Sequence, residues 1–152
     1  MAEKVVCMNN VQRYYGDRPD LVEENRRIEE SGKCPFCPDG IKDKGFVIIG
    51  ETSGWTLVLN QFPYKGSTAH ILVVPKRHIV SSLDLKTSEW VQWQEIMDIA
   101  VTKYPFLKNG FGIAMREKEL GGVTLYHLHF HLIVPKANTE SFAEVPVNFR
   151  IG

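Results

Sequence analysis

Residues 126–135 read Tyr126-His127-Leu128-His129-Phe130-His131-Leu132-Ile133-Val134-Pro135. Imidazole and apolar side chains alternate strictly from 127 to 132, which is the period of a β-strand, because successive strand side chains leave opposite faces. The pattern predicts His127, His129 and His131 on one side of a strand and Leu128, Phe130 and Leu132 on the other. At a rise of about 3.3 Å per residue, neighbouring histidines stand roughly 6 to 7 Å apart, close enough to serve one substrate or ion. Solvated strand faces ordinarily mix Thr, Lys, Glu and Ser. Three of the chain's five histidines on one face therefore mark chemistry rather than solvation.

Working outward, Phe111 to Met115 is expected to pair with the histidine strand across the loop Glu117 to Gly122. Before it, Trp90, Val91, Ile96, Met97, Ala100, Val101 and Tyr104 recur at three- and four-residue steps from Ser88, the signature of the main amphipathic helix, which Pro105 closes. Further upstream, Phe46 to Ile49 and Trp55 to Leu59 read as strands around the turn Gly50 to Gly54, and Ile71 to Val74 as a third strand ended by Pro75. Asp20-Leu21-Val22-Glu23 has the form of a capping box, and Gly32 supplies a stop, so a charged N-terminal helix is expected there. A short strand is expected in the tail at Val145 to Phe149. The order strands, helix, strands predicts an α+β fold with an antiparallel sheet. It divides as residues 1–33, an N-terminal helical extension, and 34–152, the domain that carries the histidine strand, within one compact body.

Composition narrows the partners. A chain of 152 residues, 43% hydrophobic, can bury about 70% of its unfolded surface and needs no staple. Eighteen basic residues balance eighteen acidic ones. No global field steers the molecule toward nucleic acid or an anionic membrane, so an anionic substrate must be held by a local site. The opening Met1-Ala2-Glu3-Lys4 lacks the form of a signal peptide and no apolar run approaches 18 residues, so a soluble, cytoplasmic protein is expected.

Three cysteines, Cys7, Cys34 and Cys37, are too few for a disulfide framework. Cys34-Pro35-Phe36-Cys37 has the spacing of half a zinc site, and His78 and His127 are candidates for the missing two ligands. A redox pair is the alternative. It is weakened because Cys34 does not open a helix, whose N-terminus would lower a thiol pKa, and because Pro35 and Pro38 suggest a tight loop. Cys7 reads as a structural thiol.

The triad His127-Leu128-His129-Phe130-His131-Leu132-Ile133 resembles the signature of the histidine triad (HIT) family of nucleotide hydrolases and transferases. The likeness extends to Gly122 and Thr124 before the triad, to Asn60-Gln61-Phe62-Pro63, and to His70-Ile71-Leu72-Val73-Val74-Pro75-Lys76-Arg77-His78, covering roughly residues 34 to 135. The resemblance implies that His129 is the nucleophile, that His131 and Thr124 assist at phosphate, and that Asn60 holds the ribose. It also places Gly122 and Arg116 near the phosphoryl oxygens and leaves His70 as a substrate-side or core histidine. Zinc-bearing relatives draw their ligands from positions matching Cys34, Cys37, His78 and His127, which implies a structural zinc. A third-position histidine, His131, resembles the hydrolase branches, and Met115-Arg116 resembles members acting on dinucleoside polyphosphates. A homodimer through a continuous sheet is implied as well.

The chemistry of the residues agrees with that reading. A neutral imidazole with an ordinary pKa near 6.5 attacks phosphorus and also leaves well from the phosphoramidate it forms. Alternative readings are a nucleotidyltransferase or phosphorylase of the same family, a mononuclear metalloenzyme using the strand histidines as ligands, and a non-catalytic nucleotide-binding or zinc-ribbon module. The last two leave Asn60 or an intact nucleophile unexplained.

Overall fold

The computed structural model describes residues 3–152, so residues 1 and 2 of the expected extension lie outside it. Its frame is an antiparallel sheet of β1 (Ile48–Glu51), β2 (Trp55–Leu59), β3 (Ser67–Pro75), β4 (Gly112–Ala114) and β5 (Phe130–Pro135), in the order β1-β2-β3-β5-β4. The central strand, β3, sets the register on both sides. Trp55 lies opposite Pro75 and Leu59 opposite Ile71, while Leu72 lies opposite His131 and Val73 opposite Phe130. Both faces of the sheet's centre are covered, which is why β2 and β3 carry runs of apolar residues rather than alternation.

One face bears Trp55, Leu57, Ile71, Val73, Leu128, Phe130 and Leu132, packed on Ile96 and Ala100 of the long helix α4 (Thr87–Lys103). Each such side chain removed from water contributes on the order of 1.5 to 3 kcal/mol. Glu89 fixes where α4 starts. Its carboxylate accepts the Lys86 N–H at 2.7 Å and takes Arg77 in a two-pronged pair at 3.0 and 2.9 Å, while its carbonyl accepts the Trp55 indole N–H at 2.8 Å. Arg77 belongs to the turn that carries His78, so the helix start and the end of β3 are tied together. The expected helix from Ser88 to Tyr104 is thus present within a residue at each end, and Pro105 begins a 3-10 turn.

The opposite face carries Val58, Leu72 and Val74 under Phe36 and Ile41. Three helices precede the sheet: α1 (Met8–Tyr15), α2 (Pro19–Ser31) and α3 (Pro38–Asp43). Only α2 was expected. Its end is at Gly32, left-handed at φ 64° with its N–H on the Glu29 carbonyl, as read. Its start differs. Arg18 stands at the cap position with Pro19 following, no side chain caps the end, and Asp20 pairs with Arg18 instead of closing a capping box. Proline at the first helical position explains the shift, since its fixed φ suits that turn and its missing N–H needs no cap.

Further differences are local. β1 begins two residues later than Phe46, and its register is irregular between Ile48 and Gly50. β3 extends from Ser67, beyond the apolar run at 71–74. The loop Glu117 to Gly122 contains a single turn, α5 (Lys118–Gly121). Val145 to Phe149 forms no strand and pairs with neither edge of the sheet, running instead as a tail over the histidine side. The antiparallel sheet and the α+β class are those expected.

The start of the chain closes onto the approach to the histidines. Tyr126 N–H donates to the Val5 carbonyl at 2.8 Å, Cys7 N–H to the Thr124 carbonyl at 2.9 Å, and Val6 bridges Leu125. The Glu29 carboxylate of α2 accepts the N–H groups of Val5 and Val6 at 2.9 and 2.6 Å. Asn10 of α1 adds donors to the carbonyls of Val123 and Glu119 at 2.8 and 3.1 Å.

Candidate active site and metal centre

The histidine face is built as expected, but only its last member lies in a paired strand. β5 begins at Phe130, and residues 127–129 run in without ladder partners. Alternation still holds, because Leu128 is fixed by its N–H to the Ile79 carbonyl at 2.7 Å and packs in the α4 core with Phe130 and Leu132. The three imidazoles are thereby turned to the other side.

His127 is 1% exposed and faces the cysteine loop. Its Nε2 lies 2.8 Å from the Pro75 carbonyl, an acceptor only, so that nitrogen carries the proton and Nδ1 is left as a lone pair. Around it, Cys34 Sγ stands at 3.2 Å, Cys37 Sγ at 3.7 Å and His78 Nδ1 at 3.2 Å, with Cys37 Sγ to His78 Nδ1 at 3.3 Å. All four ligand atoms fall within 4.8 Å of one another. A tetrahedral ion bound by two sulfurs and two nitrogens has edges of about 3.3 to 3.8 Å, so the set matches a metal-sized hole. Burial pushes the Cys34 thiol up to about 12, so a cation at the centre is what would hold it as thiolate. Cys37 caps the short helix α3, a placement not read from the Pro38 loop, while Cys34 opens no helix. Cys7 is a buried thiol remote from this set.

His129 faces a different space. Its Nδ1 lies 2.7 Å from the His127 carbonyl, so that nitrogen is the protonated one and Nε2 is the free lone pair. Phe36 supports the ring edge-on at 4.9 Å and His131 lies beyond it at 5.0 Å. His131, 4% exposed, receives a hydrogen bond at Nδ1 from His70 Nε2 at 2.8 Å, and His70 is itself set by the Tyr64 N–H donating to its Nδ1 at 3.1 Å. This chain of donors leaves His131 Nε2–H buried and without a protein partner. Burial lowers the pKa of His70 and of His129 to about 4 and that of His131 well below its ordinary value, with the neighbouring imidazole or Arg116 charges adding to the effect. All three are neutral at pH 7.

The pocket in front of His129 and His131 is walled by Asn60, Arg116 and Thr124, and on its outer side by Tyr15, Glu24 and Asn25. The last three come from α1 and α2. Sequence reading missed them, since nothing in their spacing points to the histidines. Two predicted residues lie elsewhere. His70 is 2% exposed and sits behind His131, off the pocket wall. Gly122 is buried in a left-handed conformation at φ 91°, where a Cβ would collide with the Tyr14 hydroxyl, and it too is off the wall. Asn60 lines the pocket, but its amide N–H is directed at His70 Nδ1 at 3.4 Å and its Oδ1 accepts the Phe62 N–H at 2.9 Å. The tail also reaches in, with Phe149 5.1 Å from the His131 ring and 4.1 Å under the Arg116 guanidinium.

A family model, the HIT domain, matches residues 43–138. Among curated proteins, an uncharacterized HIT-like protein of Chlamydia trachomatis serovar D is 24% identical over 100 residues, which span 64% of this chain and 79% of that one. Three solved structures are among those that share the fold. A hypothetical protein from Leishmania major matches with a TM-score of 0.59 at 20% identity, over 79% of this chain and 84% of that one. A Zn-bound histidine triad family protein from Mycobacterium smegmatis matches at 0.53 and 21% identity, over 76% and 82%. The diadenosine triphosphate hydrolase of Plasmodium falciparum, in complex with cyclomarin A, matches at 0.52 and 24% identity, over 60% and 62%.

Proposed function

Since this chain belongs to the HIT family, whose members are generally nucleotide hydrolases or transferases, we propose that it hydrolyses dinucleoside polyphosphates at the α-phosphate through a nucleotidyl-His129 intermediate. One observation carries the reading: the His127 carbonyl accepts the Nδ1 proton of His129, which leaves Nε2 deprotonated and open to the pocket. Nε2 attacks the α-phosphorus, an N–P bond forms, and the P–O bond to the departing phosphate breaks with its electron pair on oxygen. Water then splits the N–P bond and releases a nucleoside monophosphate. His131 offers its unpartnered Nε2–H to the phosphoryl oxygens. Arg116 and Thr124 stand on the same wall and stabilise the charge that develops there. Asn60 is assigned to the ribose, while His70 fixes the tautomer of His131 and Gly122 lets the main chain before the triad pass Tyr14.

The Cys34, Cys37, His78 and His127 set is assigned to a structural zinc, because two thiols and two imidazoles at tetrahedral spacing leave no fourth position open for water. Bound there, zinc would brace the segment that carries His129. Residues 34–152 form the catalytic unit in this reading and residues 1–33 a helical extension that completes its pocket wall. A homodimer is assigned to the free edge of β4, where Ile113 is 49% exposed beside the unpaired side of the strand. Among the described residues no helix is long and apolar enough to cross a membrane, and paired thiols held for a metal suit a reducing compartment such as the cytoplasm. The test is acid-free quenching of turnover with labelled diadenosine polyphosphate, followed by peptide mapping. Label on His129 is expected, and label on no histidine overturns the covalent route.

A further inference from the structure

Arg116 lines two cavities. The first is the histidine pocket. The second, which shares Tyr15, Tyr64 and Arg116 with it, runs between the β2–β3 loop and the tail. Three cations line it, Lys65, Arg116 and Arg150, and no carboxylate does. None of the three takes part in a salt bridge among the described residues, in a chain whose acids and bases are equal in number. The Arg116 and Arg150 guanidinium carbons lie 5.0 and 5.5 Å from the centroid of one ring, that of Tyr14. Arg116 is held in place rather than neutralised: Nη1 donates to the Tyr64 hydroxyl at 3.1 Å and Nε to the Arg150 carbonyl at 2.8 Å. The Gly152 carboxyl group accepts the Tyr14 hydroxyl but does not line the cavity, and like charges drawn together are unfavourable unless an anion joins them.

Resting on the hydrolase reading, we propose that this second cavity receives the leaving group, and that the leaving group is an oligophosphate anion rather than an amine. When His129 Nε2 bonds to the α-phosphorus, the broken P–O bond leaves its electron pair on what becomes the terminal phosphate oxygen of a nucleoside oligophosphate. Lys65, Arg116 and Arg150 neutralise that charge, so the departing oxygen needs no proton from the protein. A phosphoramidate would release an amine, which three cations do not attract. Arg150 and the Phe149 face beside it lie outside the segment that matches the family model, so this specificity belongs to the tail of this chain.

The test uses the full-length, metal-loaded protein and the double variant Lys65→Ala/Arg150→Ala. Both side chains are exposed, and the Arg150 group that holds Arg116 is main-chain, so the fold and Arg116 are kept. The KM for diadenosine tetraphosphate should rise about tenfold or more with a weaker salt dependence, while kcat/KM for adenosine 5′-phosphoramidate changes less than twofold. Equal losses on both substrates, or none on either, overturn the proposal. Calorimetric titration with inorganic tripolyphosphate gives a readout independent of turnover: wild type should bind at least tenfold more tightly than the double variant, and Lys65→Glu/Arg150→Glu should abolish binding. Equal affinities overturn the proposal even in an active enzyme. Binding through these residues by a protein that cleaves no nucleotide would instead overturn the hydrolase reading, and the leaving-group assignment with it.

Discussion

His127 and His129 are two residues apart on one face of one segment, and their rings are tied in opposite senses. His127 gives its Nε2 proton to the Pro75 carbonyl and presents Nδ1 to two thiols. His129 gives its Nδ1 proton to the His127 carbonyl and presents Nε2 to the pocket. In the proposed reading the same side chain serves as a metal ligand or as a nucleophile according to which nitrogen the main chain claims. The two sites therefore differ in what they present yet share a peptide group, the His127 carbonyl being the acceptor that leaves His129 Nε2 free.

The sharpest way to separate them is His129→Ala. Turnover should fall by about 10⁴-fold or more with the melting temperature and nucleotide affinity nearly unchanged, because a nucleophile acts on the chemical step alone. Residual activity near wild type would break the division of labour. Cys34→Ser should do the reverse first: metal content drops, and the melting temperature falls by about 10 °C or more, since metal binding at such sites contributes on the order of 10 kcal/mol of apparent free energy. Metal analysis and calorimetry check it, and a disulfide between Cys34 and Cys37 in fresh protein would contradict it. His131→Gln keeps a donor but loses a titratable nitrogen. Hydrolysis should slow by roughly 10² to 10⁴-fold, and product analysis should show the intermediate accumulating or passing to added phosphate. Should wild type itself release monophosphate only in the presence of such an acceptor, the transferase reading takes over.

The smallest effect is one of pH. Burial holds His70 at about 4 against 6.5 in an unfolded chain, so the folded protein binds fewer protons between those values. Its contribution to stability is present above pH 6.5 and is lost as the pH falls through about 4. Melting temperatures should therefore decline progressively below pH 6.5. Turnover should stay level down to about pH 5, whereas a histidine of ordinary pKa would halve the rate near 6.5. A rate profile with its midpoint at 6.5 would show that the neutral cluster is not the working form.

The period-two pattern of residues 127–132 was legible because alternation survives even where the ladder does not, and the place of β3 follows from an apolar run that only a doubly covered strand can bury. The Cys34, Cys37, His78 and His127 set was legible as well, since ligand chemistry narrows the residue types to a handful. What was not legible is whatever depends on chain reversal. Asp20 looked like a cap because local spacing cannot reveal that Pro19 starts the helix. Val145 to Phe149 looked like a strand because alternation does not say whether the segment pairs with an edge. Tyr15, Glu24 and Asn25 reach the pocket only through packing of α1 and α2. His70 was left between core and substrate because its partner, His131, lies 61 residues away.

The clasp formed by Val5 to Cys7 against Thr124 to Tyr126 links positions more than a hundred residues apart, as the Asn10 bond to Val123 across 113 residues illustrates. Closing so long a loop costs conformational entropy that a few main-chain hydrogen bonds only modestly exceed, whereas the neighbouring hairpin of β2 and β3 closes a short one. Local opening should begin at this clasp. The amides of Cys7 and Tyr126 are expected to exchange with deuterium well before those of Val73 and Leu132, and each such opening frees the peptide just ahead of His127. The protein's beginning thus acts as the latch of a site whose chemistry sits near its end, and lengthening or trimming the first residues is a way to tune how often that latch lifts.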